Sequence, residues 1–285
     1  MLLAERARRH IVTQCAELDT LLGGGVAPGE ITELCGGPGL GKTQLAIQLA
    51  VNVQLPLDLG GLDGEALYVD TEGSLMCERV LDVACGAGAL LRARAQSHGS
   101  EAMRASFAQA AASWMPEACL QRIHVYRAHD APTQAALCCA LPALVAARPK
   151  VKLIVLDSVA FHYRPGVENY AQRARALAHT FGSLLRLAAS QGIAVVVTNQ
   201  VTTKPGASDA AGSRLAPALG ESFAHAATTR VLLYWQARGR TAMLFKSPRR
   251  ARGTAAYAVT SEGVRSARPL KRPGEQADAA DAELY

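Results

Sequence analysis

The sequence predicts an α/β fold: a mainly parallel sheet flanked by helices, with antiparallel strands toward the C-terminus. Three observations carry that expectation. A glycine-rich stretch, GGPGLGKTQL at 36–45, lies between a strand-like run and an apolar-striped helix. Four further apolar runs, at 66–70, 122–126, 151–157 and 193–198, alternate with helical stretches. This is the pattern of parallel strands covered on both faces. Three late runs, at 230–235, 241–245 and 255–260, follow one another with no helix between them and read as antiparallel.

The first strand, 30–35, alternates polar and apolar residues up to the glycines. The pattern Gly36-x-x-x-x-Gly41-Lys42-Thr43 fits a phosphate-binding loop. Glycines let successive backbone N–H groups turn toward one anion, and the following helix adds its positive end. Lys42 is a mobile cation able to reach β and γ phosphates. Thr43 offers a hydroxyl to Mg²⁺, an ion that prefers oxygen ligands. Gly36, Gly37, Pro38, Gly39, Leu40, Gly41 and Gln44 complete the expected ATP cradle. The competing reading is a Gly/Pro-rich turn that holds a lysine by chance; the strand–loop–helix context argues against it.

A phosphate loop needs a second partner for the metal. Asp157 closes the apolar strand 151–157, at the strand end that faces the ligand crevice of open α/β sheets. It is expected to support Mg²⁺, although an acidic residue there can also form a simple turn. Hydrolysis needs a group to polarise water. Glu72, in Asp70-Thr-Glu-Gly73 just past another strand, is the candidate base; the alternative is that Thr71-Glu72 caps a helix starting near Ser74. Helices are expected at 74–85, at 101–113, from Pro132, and at 170–190. A short Gly/Arg turn around Gly239 joins two of the late strands into a hairpin. Residues 202–220 read as a long polar loop, and a loop of that length is usually functional or mobile.

Composition bounds the function. With 285 residues, 49% hydrophobic and 19% charged, the chain can fill a sizeable core. No apolar run approaches the ~18 residues of a membrane span, so no membrane partner is expected. A net charge of +6 is compatible with nucleic acid without demonstrating it. Seven cysteines without a C-x-x-C pair read as reduced thiols of a cytosolic or nuclear protein. One core over 1–265 and a disordered tail over 266–285 are expected.

The run LDTLLGGGVAPGEITELCGGPGLGKTQLAIQLAVNVQLP resembles the opening of the ATPase core of the eukaryotic RecA-type strand-exchange recombinases. ALYVDTEGSLMCERVLDVA, LIVLDSVAFHYR, IAVVVTNQVTTK, PALGESFAHAATTRVLLYW and LFKSPR follow in the family's order, over roughly residues 10 to 265. Within that family DTEGS, FKSP and GESFAHAATTR resemble the paralogue branch, and paralogue C most closely. The resemblance implies a RecA-like P-loop ATPase core with Glu72 as base. Arg79 would stack on adenine, although it could equally pair with neighbours on its helix surface. Gln200 would be the switch that reads the γ-phosphate, or else a buried amide that satisfies backbone groups. The family places ATP between adjacent protomers, so His225 and Lys246 would act on the neighbour's nucleotide. Against this, His225 between alanines also reads as a packed core residue, and Lys246 as part of a solvated basic turn.

The resemblance further implies two DNA-binding loops. The first contributes Tyr163 and Arg164, with Arg173 and Arg175 behind them; the second contributes Lys204 and Arg214. Such cations suit phosphate contacts that set affinity without sequence preference. Between Val201 and Glu221 there is no aromatic residue and there are two basic ones, slender means for prying bases apart. An accessory role on recombinase filaments is therefore expected in place of independent strand exchange. Single-stranded or junction DNA, other paralogues and the main recombinase are the implied partners, in the nucleus. Family members carry a helical domain and a polymerisation anchor ahead of this core. Here the resemblance starts near residue 10, which reads as a truncation, an incomplete gene model or a core-only form. Self-polymerisation is in doubt, and pairing with other paralogues through the core is left open.

Overall fold

The computed structural model describes residues 9–163, 170–204, 214–217, 226–236 and 239–267. The strands are β1 (Ile31–Gly36), β2 (Glu65–Asp70), β3 (Ile123–Arg127), β4 (Val151–Asp157) and β5 (Ala194–Asn199). A short antiparallel pair follows, β6 (Val201–Lys204) and β7 (Arg214–Pro217). Next come β8 (Thr229–Gln236), β9 (Gly239–Lys246), β10 (Gly253–Thr260) and β11 (Gly263–Ser266). All but β6 and β7 form one nine-stranded sheet in the order β11-β10-β9-β8-β1-β5-β4-β2-β3. From β8 to β3 every pairing is parallel; from β8 to β11 every pairing is antiparallel.

The helices among the described residues are α1 (Ala16–Leu22), α2 (Lys42–Asn52), α3 (Cys77–Ser97), α4 (Glu101–Ser113), α5 (Pro116–Gln121), α6 (Ala131–Ala146) and α7 (Tyr170–Gln191). Side chains alternate across a strand, so the central strands feed two cores. Ala66, Tyr68, Leu153, Val155 and Val196 meet α1, α2 and α3 on one face. Leu67, Val69, Ile154, Leu156 and Val197 meet α6 and α7 on the other. A smaller cluster, including Leu91 and Phe107, seats α4 against α3.

Several expectations change in detail. Strand β1 is buried along its whole length, although its sequence alternates. It lies between β8 and β5, so its polar residues Thr32 and Glu33 face protein on both sides. The helix expected at 74–85 starts at Cys77 and runs on to Ser97. Glycines 86 and 88 do not stop it: a Cβ at 86 would collide with the Glu262 carbonyl, and one at 88 would lie 2.8 Å from Trp114. They are small because neighbours come close. Part of the expected 202–220 loop is strand, with Lys204 opposite Arg214 in register. Ordered chain also passes Arg265, because β11 pairs with β10 as far as Ser266; residues 268–285 lie outside the described residues. All seven cysteines are free thiols. Among the described residues no helix is long and apolar enough to cross a membrane.

Candidate nucleotide site

The strand order positions the site. Strands β1, β5, β4 and β2 are parallel neighbours, so their C-terminal ends lie side by side. Those ends carry the loop that starts at Gly36, then Gln200, Asp157, and the Asp70–Gly73 turn. Residues from four distant parts of the chain thus meet along one edge, the usual ligand crevice of such sheets.

The 36–43 loop is built for close approach. Gly39 and Gly41 have φ of 75° and 90°, left-handed values that L side chains rarely adopt. A Cβ at Gly36 would lie 2.6 Å from the Leu233 carbonyl, and one at Gly41 2.9 Å from Val259. A Cβ at Gly39 would meet nothing within 4 Å, so the loop opens outward there. From behind, the Tyr257 hydroxyl donates to the Leu40 carbonyl at 2.6 Å, and Arg240 donates to the Gly39 carbonyl at 3.2 Å. Lys42 Nζ donates to the carbonyls of Gly36 and Gly37 at 2.9 and 2.8 Å. Burial pulls the Lys42 ammonium below its ordinary pKa, while the Glu72 and Asp157 carboxylates oppose that fall.

Asp157 is buried and receives a hydrogen bond from the Tyr68 hydroxyl at 2.7 Å and one from Thr198. Burial raises its pKa; the Thr198, Tyr68 and Thr43 hydroxyls hold it back. Thr43 and Asp157 therefore adjoin, giving two hard oxygen donors beside the open loop. That set suits Mg²⁺, which takes few protein ligands and keeps phosphate and water for the rest.

Glu72 is turned to the crevice and does not cap a helix. Its Oε1 accepts from the Ser158 hydroxyl at 2.7 Å and from the Gln200 amide at 3.1 Å. Asp70 organises the turn that precedes α3, which itself starts at Cys77 with no side-chain cap. The Asp70 carboxylate accepts the backbone N–H of Gly73 at 2.8 Å and of Glu72 at 3.2 Å, and pairs with Arg127 at 2.9 Å. A carboxylate that gathers successive N–H groups locks a turn, so Asp70 sets where Glu72 points. Arg79 donates to Gln44 Oε1 at 2.6 Å, to the Thr260 carbonyl at 2.7 Å and to the Ser261 carbonyl. It also lies 3.6 Å from Asp82, the surface pairing that its sequence allowed. Arg79 and Gln44 thus tie α2 and α3 to the β10–β11 turn beside the loop.

Other expected residues lie elsewhere. Lys246 ends β9, opposite Arg230 near the start of β8, and Arg230 is in turn level with Glu33 of β1. Lys246 Nζ donates to the Ala227 carbonyl at 2.7 Å. Arg164 and His225 lie outside the described residues. Lys204 and Arg214 are placed by backbone register alone. Tyr163 packs against the α6–α7 core, and burial raises its pKa.

Some site residues escaped the sequence reading. Ser158 follows Asp157 directly, so its neighbour was a usable signal. Glu33 and Arg230 were harder to find: they form a buried ion pair although 197 positions separate them.

A family model described as Rad51 matches residues 6–90 and 103–267. The "DNA repair protein RAD51 homolog 3" of Cricetulus griseus is 38% identical over 263 residues, 92% of this chain and 70% of that protein. The protein of the same name from Dictyostelium discoideum is 38% identical over 241 residues, 84% of this chain and 61% of its own length. The "DNA repair and recombination protein RadA" of Aeropyrum pernix is 37% identical over 262 residues, 90% and 73% of the two chains. The chain thus spans between 61% and 73% of the length of these relatives.

Proposed function

Because the chain belongs to the Rad51 family, we propose that it is a DNA-dependent ATPase of homologous recombination and double-strand break repair. In this reading it is a recombinase paralogue that assists or stabilises recombinase filaments on single-stranded DNA. The names of its relatives support the repair role. The observation that carries the hydrolytic part is the Glu72 carboxylate, held by Ser158 and Gln200 on the edge that bears Lys42, Thr43 and Asp157.

ATP would lie along the 36–43 loop, with Thr43 and Asp157 holding Mg²⁺. When bound, the ion supplies neutralising charge to the β and γ phosphate oxygens. Lys42 adds a cation from the loop side, released from the Gly36 and Gly37 carbonyls by a stronger acceptor. Both described bonds to Glu72 fall on Oε1, which leaves Oε2 to accept a proton from water. Gln200 bridges that base to β6, so a change at Glu72 reaches the β6–β7 hairpin through one side chain. Lys204 and Arg214, opposite one another on that hairpin, would meet DNA phosphates together with Arg164. Arg79 would serve the adenine end, while His225 and Lys246 would serve the nucleotide of an adjoining subunit. Other paralogues and the main recombinase are the expected partners, and the nucleus, with cytoplasm as a second location, is where they would meet.

The test is ATP turnover with and without single-stranded DNA. Glu72→Gln should lower turnover by about 10²-fold or more while nucleotide binding persists. DNA that does not stimulate turnover, together with a Glu72→Gln protein as active as the parent, would overturn the proposal. A second reading, a nucleotide-binding scaffold subunit with little hydrolysis, is favoured by the loop at 202–220, which holds two cations and no aromatic residue. Lys42→Ala in a pull-down with recombinase subunits separates the two: a scaffold loses partners along with nucleotide.

A further inference from the structure

We propose that the buried Glu33–Arg230 ion pair is a positioning device for Gln200, and through it for Glu72. The inference rests on the hydrolytic reading of Glu72 given above. Glu33 lies mid-strand in β1 and is fully buried; Arg230, in β8, is 7% exposed. Taking two such ions out of water costs several kcal/mol each, and a well-packed apolar pair of similar size is often as stable. Stability alone is thus a weak reason for their presence, and the remaining bonds supply a better one.

Arg230 Nε donates to Glu33 Oε2, and the guanidinium lies over the Phe245 ring, 4.8 Å from its centroid. The other oxygen, Glu33 Oε1, accepts from the Asn199 side-chain Nδ2 at 2.7 Å. An ionised carboxylate only accepts. With Arg230 donating to its Oε2, Glu33 presents Oε1 to Asn199 as an acceptor, so the Asn199 amide has one orientation, nitrogen toward Glu33 and oxygen away. That oxygen accepts the Gln200 backbone N–H at 2.8 Å. The Gln200 side chain then donates to Glu72 at 3.1 Å. A fixed charge in the centre of the sheet therefore sets the orientation of a side-chain amide at the joint between β5 and β6. That joint is where the hydrolytic base and the hairpin meet.

The variant Glu33→Met/Arg230→Met replaces the ion pair with apolar side chains and leaves Ser158, Lys42, Thr43 and Asp157 in place. It should melt near the parent and bind ATP with unchanged affinity. Its kcat should fall by about tenfold or more at constant KM, the scale on which misplaced catalytic groups act. Deuterium uptake at the Gln200 amide should rise. Arg230→Lys, which keeps a counter-ion, should retain most of the kcat and the parental uptake. Glu33→Asp keeps the charge but draws it back from Asn199; it should reproduce the loss, and it decides the matter if the double variant does not fold. Unchanged uptake at Gln200 in the variants that lose the Asn199 contact would overturn the inference. So would a parallel loss of kcat and nucleotide affinity. If the parent itself does not hydrolyse ATP, the hydrolytic reading fails, while the uptake measurement still decides whether the pair positions Gln200.

Discussion

Burial without a full counter-charge sets the behaviour of Asp19 in α1. Its Oδ1 accepts the Thr13 N–H at 2.7 Å, yet loss of water pushes the carboxyl up to about 6, against a smaller opposing pull from the Thr13 bonds and Arg94. The folded state thus holds this proton more tightly than the unfolded state does. The stabilisation is complete below the ordinary carboxylate value and is lost as pH rises through about 6. The slope at this site reaches at most about 1.4 kcal/mol per pH unit. Asp19→Asn keeps an acceptor without the charge, so thermal melts should show it gaining on the parent between pH 4.5 and 7.5. A melting difference that stays flat across that range refutes the assignment. Residues of this kind divide by how local their signal is. Lys42, Thr43 and Asp157 were legible because a phosphate-loop pattern is contiguous and the carboxylate proposed as its metal partner ends an apolar strand. Glu72 was legible from its place past a strand end, while its partner Ser158 was read only as part of a resemblance. Glu33 read as an ordinary polar position of an alternating strand; its partner on β8 appears only once β8 is seen beside β1.

Helix α3 shows how one element can mislead from sequence and be explained by packing. The helix expected at 74–85 stops short of Gly86 and Gly88, yet α3 runs through both. These glycines mark where the β10–β11 turn and Trp114 press against α3. Gly86→Ala should therefore destabilise the protein although it improves helix propensity by about 1 kcal/mol. Overpacking against a backbone carbonyl costs about 1–3 kcal/mol, and the same turn holds Arg79 through the Thr260 and Ser261 carbonyls. Chemical denaturation should give a lower midpoint at unchanged m-value; a higher midpoint would mean that the turn yields. The strands were read more reliably because buried parallel strands are apolar along their length. Strand β4 matches its expected bounds, and β2, β3 and β5 shift by one residue. The β6–β7 pair was missed because Val201-Thr-Thr is short and is followed by a glycine- and alanine-rich stretch. Strand β11 was missed because four residues carry too little periodicity.

Across the whole molecule the antiparallel extension belongs to the candidate nucleotide site as much as the parallel strands do. The phosphate loop leaves β1, but its carbonyls are held by Tyr257 of β10 and Arg240 of β9. A peptide unit whose C=O is tied down at the back has its neighbouring N–H groups aimed forward, which is how a loop is preorganised for an anion. Removing the Tyr257 hydroxyl leaves the Leu40 carbonyl without that donor, at a cost of about 1–3 kcal/mol. Tyr257→Phe should therefore lower the melting temperature without ligand. If β9–β11 were simple cover, that would be the whole effect. Mg·ATP would then stabilise parent and variant by the same increment, about 2.7 kcal/mol at a hundred times Kd. If the extension holds the loop in its anion-binding shape, the increment itself shrinks, by about 1.4 kcal/mol for a tenfold weaker Kd. Melts at fixed Mg·ATP, with EDTA as the metal-free arm, distinguish the two. A larger loss with ligand than without it would show that both halves of the sheet grip one nucleotide.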